Sequence, residues 1–231
     1  MCIRDRDNRE QFKETLRWGL NLALLVSVPS AAGLFLLSGP LISTIFLGGS
    51  FSDYDLMMTD ISLRGYSIGI IGLCMVLVLS PAFYAREDTK TPLRFGLITL
   101  FVNVILSILF VFYFMSENSD YPHLGLALAF SIASMTNAGL LLFRLIGDGL
   151  IEPNQDGLMH VLRITLATAA MIAFLMAFNP ENSLWANSVL SERLRSLFFL
   201  ISLSVIIYFS ILFLLGFRLK DLRIESTSER L

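Results

Sequence analysis

Charge, histidine and cysteine are all scarce in this sequence. Only 16% of its 231 residues are charged, whereas a typical soluble domain carries about 25%. Two histidines and two cysteines are too few for a disulfide framework or a zinc site. The net charge of −2 lacks the basic excess that nucleic-acid binding requires. These shortages exclude a soluble enzyme, a nucleic-acid-binding protein and a disulfide-rich domain.

Apolar residues, by contrast, are abundant and form long runs. They make up 55% of the chain and include 19 phenylalanines, more than a soluble fold of this length can bury. A helix needs roughly 20 apolar residues to cross a bilayer, and a transmembrane β-strand would alternate apolar with polar residues. The sequence therefore predicts an all-α membrane protein, a polytopic bundle of six transmembrane helices. The predicted spans are residues 18–37, 66–84, 95–115, 124–143, 158–178 and 196–217.

Turn-forming and polar residues divide the chain into segments. Gly39-Pro40 is expected to end the first span and to leave Leu41–Leu47 as a short piece at the membrane interface. Thr91 is expected to cap the third helix, because a proline follows it. Residues 8–17 resemble an amphipathic lead-in from which an earlier helix has been removed, so we expect the chain to be a fragment of a longer protein, with MCIRDR as spurious leading residues. The predicted segments are a cytoplasmic lead-in (1–13), a four-helix part of one lobe (14–147), a cytoplasmic linker (148–157), two additional transmembrane helices (158–217) and a cytoplasmic tail (218–231).

Basic residues cluster on one side of the predicted membrane. The segments between spans alternate between the two sides of the membrane. Fourteen of the 17 Lys and Arg residues then lie on the same side as the termini, and the other three are Arg64, Arg193 and Arg195. Cytoplasmic segments carry an excess of Lys and Arg, so both termini are predicted to be cytoplasmic. The acidic residues expected in the opposite loops are Asp53, Asp55, Asp60, Glu117, Asp120 and Glu181.

Three cations near the ends of spans are candidate contacts for an anionic substrate. Arg64 and Arg86 are 22 residues apart, or about 33 Å of helix, so they belong to opposite membrane interfaces. Arg64 is expected either to anchor its helix by reaching the headgroup region or to contact an anionic substrate. Arg86 and Lys90 are expected either to set the topology or to meet an anionic headgroup.

Polar and small residues inside the spans supply further candidates. Asn103 and Ser107 share one face of the third helix, and Ser131 and Asn137 lie in the fourth. They predict either a polar pathway, with hard oxygen ligands for a weakly bound cation, or interhelical hydrogen bonds. The small residues whose four-residue spacing predicts close helix packing are Gly65, Gly69, Gly125 and Ala129.

Signatures of catalysis are missing. The sequence contains no HExxH motif, nucleophile elbow, phosphate-binding loop or paired intramembrane carboxylates. His123 and His160 are isolated, and Cys74 lies within an apolar span. We therefore predict no enzyme activity, no metal and no cofactor.

Several stretches resemble the C-terminal half of a known family. VPSAAGLFLLSGPLISTIFLGGSF begins at Val28, GYSIGIIG at Gly65 and LSPAFYAREDTKTPLRFGLIT at Leu79. FYAREDTKTP is the most specific of these, and LGFRLKDL, from Leu215, is similar to the end of the same proteins. The family is MurJ (MviN), the bacterial lipid II flippases of the multidrug/oligosaccharidyl-lipid/polysaccharide exporter superfamily.

The resemblance implies a fold and a function. The family has two six-helix lobes and two further helices, so the spans here would be four helices of the second lobe and the final pair. The family moves lipid II, the lipid-linked peptidoglycan precursor, from the inner to the outer leaflet by alternating access, and the final pair would help form a groove for the lipid tail. The implied partners are lipid II, membrane lipids and a missing N-terminal lobe, in the bacterial inner membrane. The family's cavity arginines match nothing here, so the fragment alone is expected to be inactive.

Other functions fit the same spans. The chain could belong to an exporter of another undecaprenyl-linked glycan or of a drug, or it could be a non-transporting membrane scaffold. A membrane-embedded transferase is disfavoured, because the six predicted spans contain no carboxylate.

Overall fold

The computed structural model describes residues 2–46, 51–116, 121–152, 155–179, 185 and 188–217. Within these residues the regular structure is helical and there is no strand. Six of the described helices are long and apolar enough to cross a membrane, which confirms the predicted all-α class with six transmembrane helices. They are α1 (Cys2–Phe46), α2 (Asp53–Tyr84), α3 (Lys90–Ser116), α4 (Pro122–Gly147), α5 (Gln155–Phe178) and α6 (Leu190–Leu214).

Helix α1 organises the bundle. It packs against α2 on one side and against the α5–α6 hairpin on the other, while α4 packs against both α2 and α3. The buried side chains form two clusters. One includes Leu25 and Leu37 and joins α1 to the hairpin, and the other includes Leu16, Leu79 and Leu141 and joins α1, α2 and α4. The hairpin therefore meets the rest of the bundle mainly through α1.

Helix α1 continues through Gly39-Pro40, so the expected break and the separate interfacial piece are wrong. A proline inside a helix leaves the carbonyl four residues earlier without its backbone donor. For Pro40 that carbonyl belongs to Leu36, and the Asn179 side chain, directly after α5, donates to it from Nδ2 at 3.2 Å. A side chain from a distant part of the chain thus replaces the missing backbone bond, and α1 continues to Phe46.

The same replacement occurs at Pro29. This proline frees the carbonyl of Leu25, and the buried hydroxyl of Tyr208 on α6 donates to it at 2.8 Å. Near the end of α1, Nη1 of Arg193 donates to the carbonyl of Ser43 at 2.9 Å. We call these three bonds to α1 carbonyls the α1–hairpin seam. Two of the three acceptors exist because α1 contains prolines.

Helices α2 and α6 begin earlier than the apolar pattern indicates, and this changes the position of two charged residues. Ser52 caps α2: its hydroxyl accepts the backbone N–H of Asp55 at 3.2 Å, and the Asp55 carboxylate accepts the backbone N–H of Ser52 at 2.9 Å. Asp60 is consequently a helical residue rather than a loop residue. Helix α6 starts at Leu190, so Arg193 lies in its first turn and not in a loop. Polar helical turns extend both spans beyond their apolar cores.

The cap of α3 is Asp88 and not Thr91. The Asp88 carboxylate accepts the backbone N–H groups of Lys90 at 3.1 Å and Thr91 at 3.0 Å, and the Thr91 hydroxyl at 2.6 Å. The hydrogen bond from that hydroxyl is the main reason that the pKa of Asp88 lies below its usual value. Several residues named above lie outside the described residues: Leu47, Glu117, Asp120, Glu181 and the tail from 218 to 231.

Candidate functional site

The most connected polar cluster inside the helices joins α1 to α2. Arg64 donates to the Asp60 carboxylate from Nη2 at 2.9 Å and from Nε at 3.1 Å. The hydroxyl of Ser38, on α1, donates to the same carboxylate and accepts from Nε of Arg64 at 3.1 Å. The guanidinium carbon lies 5.9 Å from the centre of the Phe35 ring. We call Ser38, Asp60 and Arg64 the α1–α2 charged cluster.

Burial divides this cluster into a sealed part and an open part. Ser38 is fully buried and the Asp60 side chain is 7% exposed, whereas the Arg64 side chain is 39% exposed. A buried carboxylate is costly unless it is paired and hydrogen-bonded, and Asp60 meets both conditions. Arg64 is therefore the member of the cluster that can reach a ligand.

Sequence reasoning singled out Arg64 but missed Asp60 and Ser38. The available signal was the four-residue spacing from Asp60 to Arg64, which places the two side chains on one face of a helix. It was missed because α2 was expected to begin near Tyr66, beyond both residues. Ser38 carried no such signal, since only the packing of α1 on α2 brings it to the pair.

Arg86 and Lys90 lie at the opposite end of α2, beside the α2–α3 turn. Nη1 of Arg86 donates to Asp148 at 2.7 Å, and the same carboxylate lies 3.5 Å from Nε of Arg144. Lys90 is exposed. Between them, Glu87 has a φ of 59°, a left-handed conformation uncommon for a side chain of this kind. The two predicted contacts are therefore unequal: Arg86 is held against α4, and Lys90 faces outward.

The beginning of α1 is tied to the segment after α4 at this same end. Nζ of Lys13 lies 3.0 Å from the Glu152 carboxylate, and this hydrogen bond is the main cause of the lowered pKa of Glu152. Arg9 also donates to the Asp148 carbonyl at 3.5 Å. Much of the basic end of the bundle is thus a network of paired charges rather than an open cationic patch.

Of the four residues of the predicted polar pathway, Ser131 is bonded to α2. The hydroxyl of Ser131 donates to the carbonyl of Gly65 at 2.6 Å, so it faces α2 and not α3. The side-chain oxygens of Asn103 and Asn137 are buried and have no hydrogen-bond partner among the described residues. Ser107 is half-buried on α3. Ser131 thus makes an interhelical hydrogen bond, whereas the two asparagines keep unused acceptors.

Small residues allow α2 and α4 to approach closely. A Cβ atom at Gly69 would lie 2.9 Å from the Cα atom of Ser131, and a Cβ atom at Gly72 would lie 2.6 Å from the carbonyl carbon of Ser134. Both distances are too short for a side chain, so the backbone contact requires glycine at these positions. We call this contact the α2–α4 seam. Other small residues at helix contacts are Gly65, which faces Ala127; Gly125, which faces Phe110; and Ala129, which is fully buried.

A lateral groove of about 420 Å³ lies between α1, α5 and α6. Its lining includes Gly33 on α1, Met171 on α5 and Val205 on α6. Tyr208 also lines it, but the Tyr208 hydroxyl is already bonded to α1. The groove is therefore mostly apolar, and its chemistry suits a hydrocarbon chain.

The isolated histidines and the cysteine make local contacts. Nε2 of His123 lies 3.1 Å from the carbonyl of Met58, and the rings of His160 and Phe217 lie 5.4 Å apart. Cys74 is half-buried on α2 and forms no disulfide. No three His, Cys, Asp or Glu side chains come together as a metal site in the part of the chain that the structure describes.

A family model described as Lipid II flippase MurJ matches residues 3–209. The chain belongs to this family. It is 33% identical over 212 residues to a probable lipid II flippase MurJ of Vibrio cholerae, a match that covers 92% of this chain and 39% of the relative. It is 29% identical to a lipid II flippase MurJ of Burkholderia cenocepacia, with coverages of 93% and 40%. It also resembles a solved structure of lipid II flippase MurJ in an inward closed conformation, with a TM-score of 0.71 and 25% identity over 89% of this chain and 39% of that one.

The chain therefore spans about two fifths of the length of the curated relatives it matches. Membership of the MurJ family and the six apolar helices make it a multi-pass protein of the bacterial inner membrane. The resemblance first indicated by FYAREDTKTP is confirmed. In the structure the FYAREDTKTP stretch forms the end of α2, the turn and the start of α3. Phe83 is fully buried in the last turn of α2, and Asp88 caps α3.

Proposed function

We propose that this chain is the C-terminal portion of a flippase that moves lipid II from the inner to the outer leaflet by alternating access. Its principal partner would be the N-terminal lobe of the same protein. The observation that supports this most is the MurJ match over residues 3–209, together with the resemblance to a solved flippase of which the chain covers 39%. Alternating access requires two lobes, so the chain alone should not transport. The proposed role is transport without catalysis, metal or cofactor.

Genetic complementation tests this proposal. A strain depleted of its essential flippase should regain growth when it carries a complete gene that joins an N-terminal lobe to this chain. The 231-residue chain alone, present in the membrane at the same level, should not restore growth. Rescue by the chain alone would contradict the two-lobe requirement. A complete protein that is inserted normally but fails to rescue would favour export of another undecaprenyl-linked glycan.

In this proposal residues 14–147 are the second-lobe part, residues 158–217 are the additional pair, and residues 148–157 join them. Both termini would be cytoplasmic, because fourteen of the 17 basic residues fall on that side. A fluorescent protein that folds only in the cytoplasm, fused after Leu231, should fluoresce, whereas alkaline phosphatase at the same point should be inactive. Active phosphatase there would reverse the topology.

The groove between α1, α5 and α6 would hold part of the lipid tail of the substrate. Its support is the apolar lining and the open space beside Gly33, where an added side chain meets no atom within 4 Å. A Gly33→Phe change should fill the groove and reduce flipping in the complete protein without reducing insertion. Gly139→Phe, at an exposed glycine of α4 with equally open surroundings, is the matched control.

Arg86 and Lys90 would help to recruit the pyrophosphate headgroup from the cytoplasmic leaflet. Changing both to Gln should reduce flipping while the amount of inserted protein stays normal. Arg94→Gln, an exposed cation on the same end of α3, should have little effect. Asp148→Asn breaks the ion pair of Arg86 without removing the charge of Arg86. A loss of flipping in Asp148→Asn equal to that of the double change would therefore assign Arg86 to the ion pair instead.

Asn103, Ser107 and Asn137 would form the polar path within the lobe, with Ser131 in its hydrogen bond to α2. The support is that the two asparagine oxygens are buried without a partner among the described residues. Asn103→Leu should lower flipping in the complete protein without lowering its thermal stability. A matching loss of stability would show that the amide is structural.

A further inference from the structure

A second lateral groove, separate from the groove beside α6, lies between α1, α2 and α5. Its volume is about 610 Å³. Three apolar residues of its lining, Phe35, Ile68 and Met176, are exposed. On α1 the lining runs from Val28 to Leu36, which is about 12 Å of helix. The groove therefore opens on the side of the bundle, and the residues exposed at its opening are apolar.

Arg64 lies at one end of this groove. The guanidinium group is 5.9 Å from the ring of Phe35, and the hydroxyl of Ser67 donates to the Arg64 carbonyl at 2.7 Å. Phe35 and Ser67 both line the groove. Asp60 engages Nε and Nη2, whereas Nη1 has no partner among the described residues. A guanidinium donor therefore remains available at the end of an apolar groove.

The wall of the groove contains an unused hydroxyl. Thr168 is 5% exposed, and its hydroxyl has no hydrogen-bond partner in the part of the chain that the structure describes. Thr165, on the same helix, donates to the carbonyl of Val161 at 2.9 Å, the usual outlet for a hydroxyl inside a helix. Thr168 does not use that outlet, so the groove offers a polar group in its wall as well as a cation at its end.

We propose that this groove binds one phospholipid, separate from the transported substrate. One acyl chain lies between α1, α2 and α5, and the headgroup phosphate accepts hydrogen bonds from Nη1 of Arg64. Guanidinium groups suit phosphate oxygens because they present charged N–H donors in a fixed plane. The arrangement fits a lipid better than a transmembrane helix, since a helix in lipid satisfies its own backbone and supplies no phosphate acceptor at the Arg64 end.

The charge of the cluster predicts which lipids bind. Asp60 offsets the positive charge of Arg64, so hydrogen bonds to the phosphate, rather than net charge, hold the headgroup. Phosphatidylglycerol and phosphatidylethanolamine should therefore bind with similar affinity. Diacylglycerol has the same acyl chains and no phosphate, and it should bind at least about tenfold more weakly.

Native mass spectrometry of the chain purified in detergent tests the proposal, with each of the three lipids titrated separately. Arg64→Gln should weaken binding of both phospholipids by about tenfold and leave diacylglycerol binding unchanged. Ala169→Trp, at an exposed position of the groove lining, should weaken the binding of all three lipids. The matched controls are Arg195→Gln, an exposed cation near the start of α6, and Leu166→Trp, an exposed residue of α5 outside the lining.

Stability is measured in parallel, because Arg64→Gln leaves Asp60 without its cation. The double change Asp60→Asn and Arg64→Gln removes the pair without leaving a buried charge, and it should lose phospholipid binding to the same degree as the single change. Diacylglycerol binding equal to phospholipid binding would overturn the phosphate contact. Equal affinity in Ala169→Trp and the unchanged chain would overturn the groove as the site.

Discussion

The α1–hairpin seam and the α2–α4 seam hold helices together in two different ways. The first uses side-chain donors from the hairpin and backbone acceptors on α1, at Leu25, Leu36 and Ser43. The second brings two backbones together at glycines, beside the hydrogen bond from the Ser131 hydroxyl to the Gly65 carbonyl. Both kinds of contact can hold helices together in a bilayer, where apolar side chains gain little free energy by leaving lipid for a neighbouring helix.

The difference between the seams has a physical reason. Prolines in α1 create acceptors that must be satisfied, so the hairpin is fixed at defined heights along the helix. Glycines in α2 create no acceptor, but they shorten the distance at which dispersion acts over many atoms. The free energy of unfolding should therefore fall when a polar seam loses one donor, and when side-chain volume is added to a close-packed seam.

The largest effect should come from adding volume to the α2–α4 seam. Gly72→Leu would place Cβ 2.6 Å from the Ser134 carbonyl carbon, and backbone cannot move aside as a flexible side chain can. We expect a loss of about 3 kcal/mol in the free energy of unfolding, measured by SDS titration of the purified chain. Gly139→Leu has open space around it and should cost far less. Similar losses for the two changes would refute the close-packed seam.

Removing one donor from the α1–hairpin seam should have an intermediate effect. Tyr208→Phe leaves the Leu25 carbonyl without its partner and should cost about 1 kcal/mol in the same titration. Pro29→Ala would supply a backbone N–H for that carbonyl, so Tyr208→Phe should cost much less in a Pro29→Ala background. An unchanged cost in that background would show that the hydroxyl does not replace the proline's missing bond. Tyr113→Phe, at an exposed tyrosine of α3, controls for loss of a hydroxyl.

The smallest effect should come from removing the Ser131 hydrogen bond at the α2–α4 seam. Ser131→Ala keeps the close contact and removes the donor to the Gly65 carbonyl, which already belongs to a helix. We expect a loss of about 0.6 kcal/mol, measured as above. A loss larger than that of Tyr208→Phe would reverse the comparison and make the α2–α4 seam a polar one.

Apolar runs were enough to predict the class, the number of spans and the approximate core of each helix. They could not predict that α1 crosses Gly39-Pro40, because the compensating donor, Asn179, lies directly after α5, more than a hundred residues later. They also placed the start of α2 too late, since the capped polar turns that begin at Ser52 are helical without being apolar. Length and hydropathy indicate which residues cross the membrane, whereas caps and distant hydrogen-bond donors determine where a helix begins and ends.

The candidate site was predictable only in part. Arg64 was identified from its position at the end of a span, but its partner Asp60 was assigned to a loop. Ser131 was expected beside α3 or in a hydrogen bond between helices, and the structure shows it bonded to α2. A single sequence gives the face of a helix on which a residue lies, but it does not give the helix that this face meets.

The prolines of α1 also bear on how the chain is made. Tyr208 is 183 residues after Leu25, and synthesis at about 5–20 residues per second separates them by roughly 10 to 40 s. Throughout that interval α1 holds a carbonyl at Leu25 with no donor, and the hydrocarbon core offers no water to serve as one. The Leu25 carbonyl of α1 can therefore receive its hydrogen bond from Tyr208 only after α6 has been inserted.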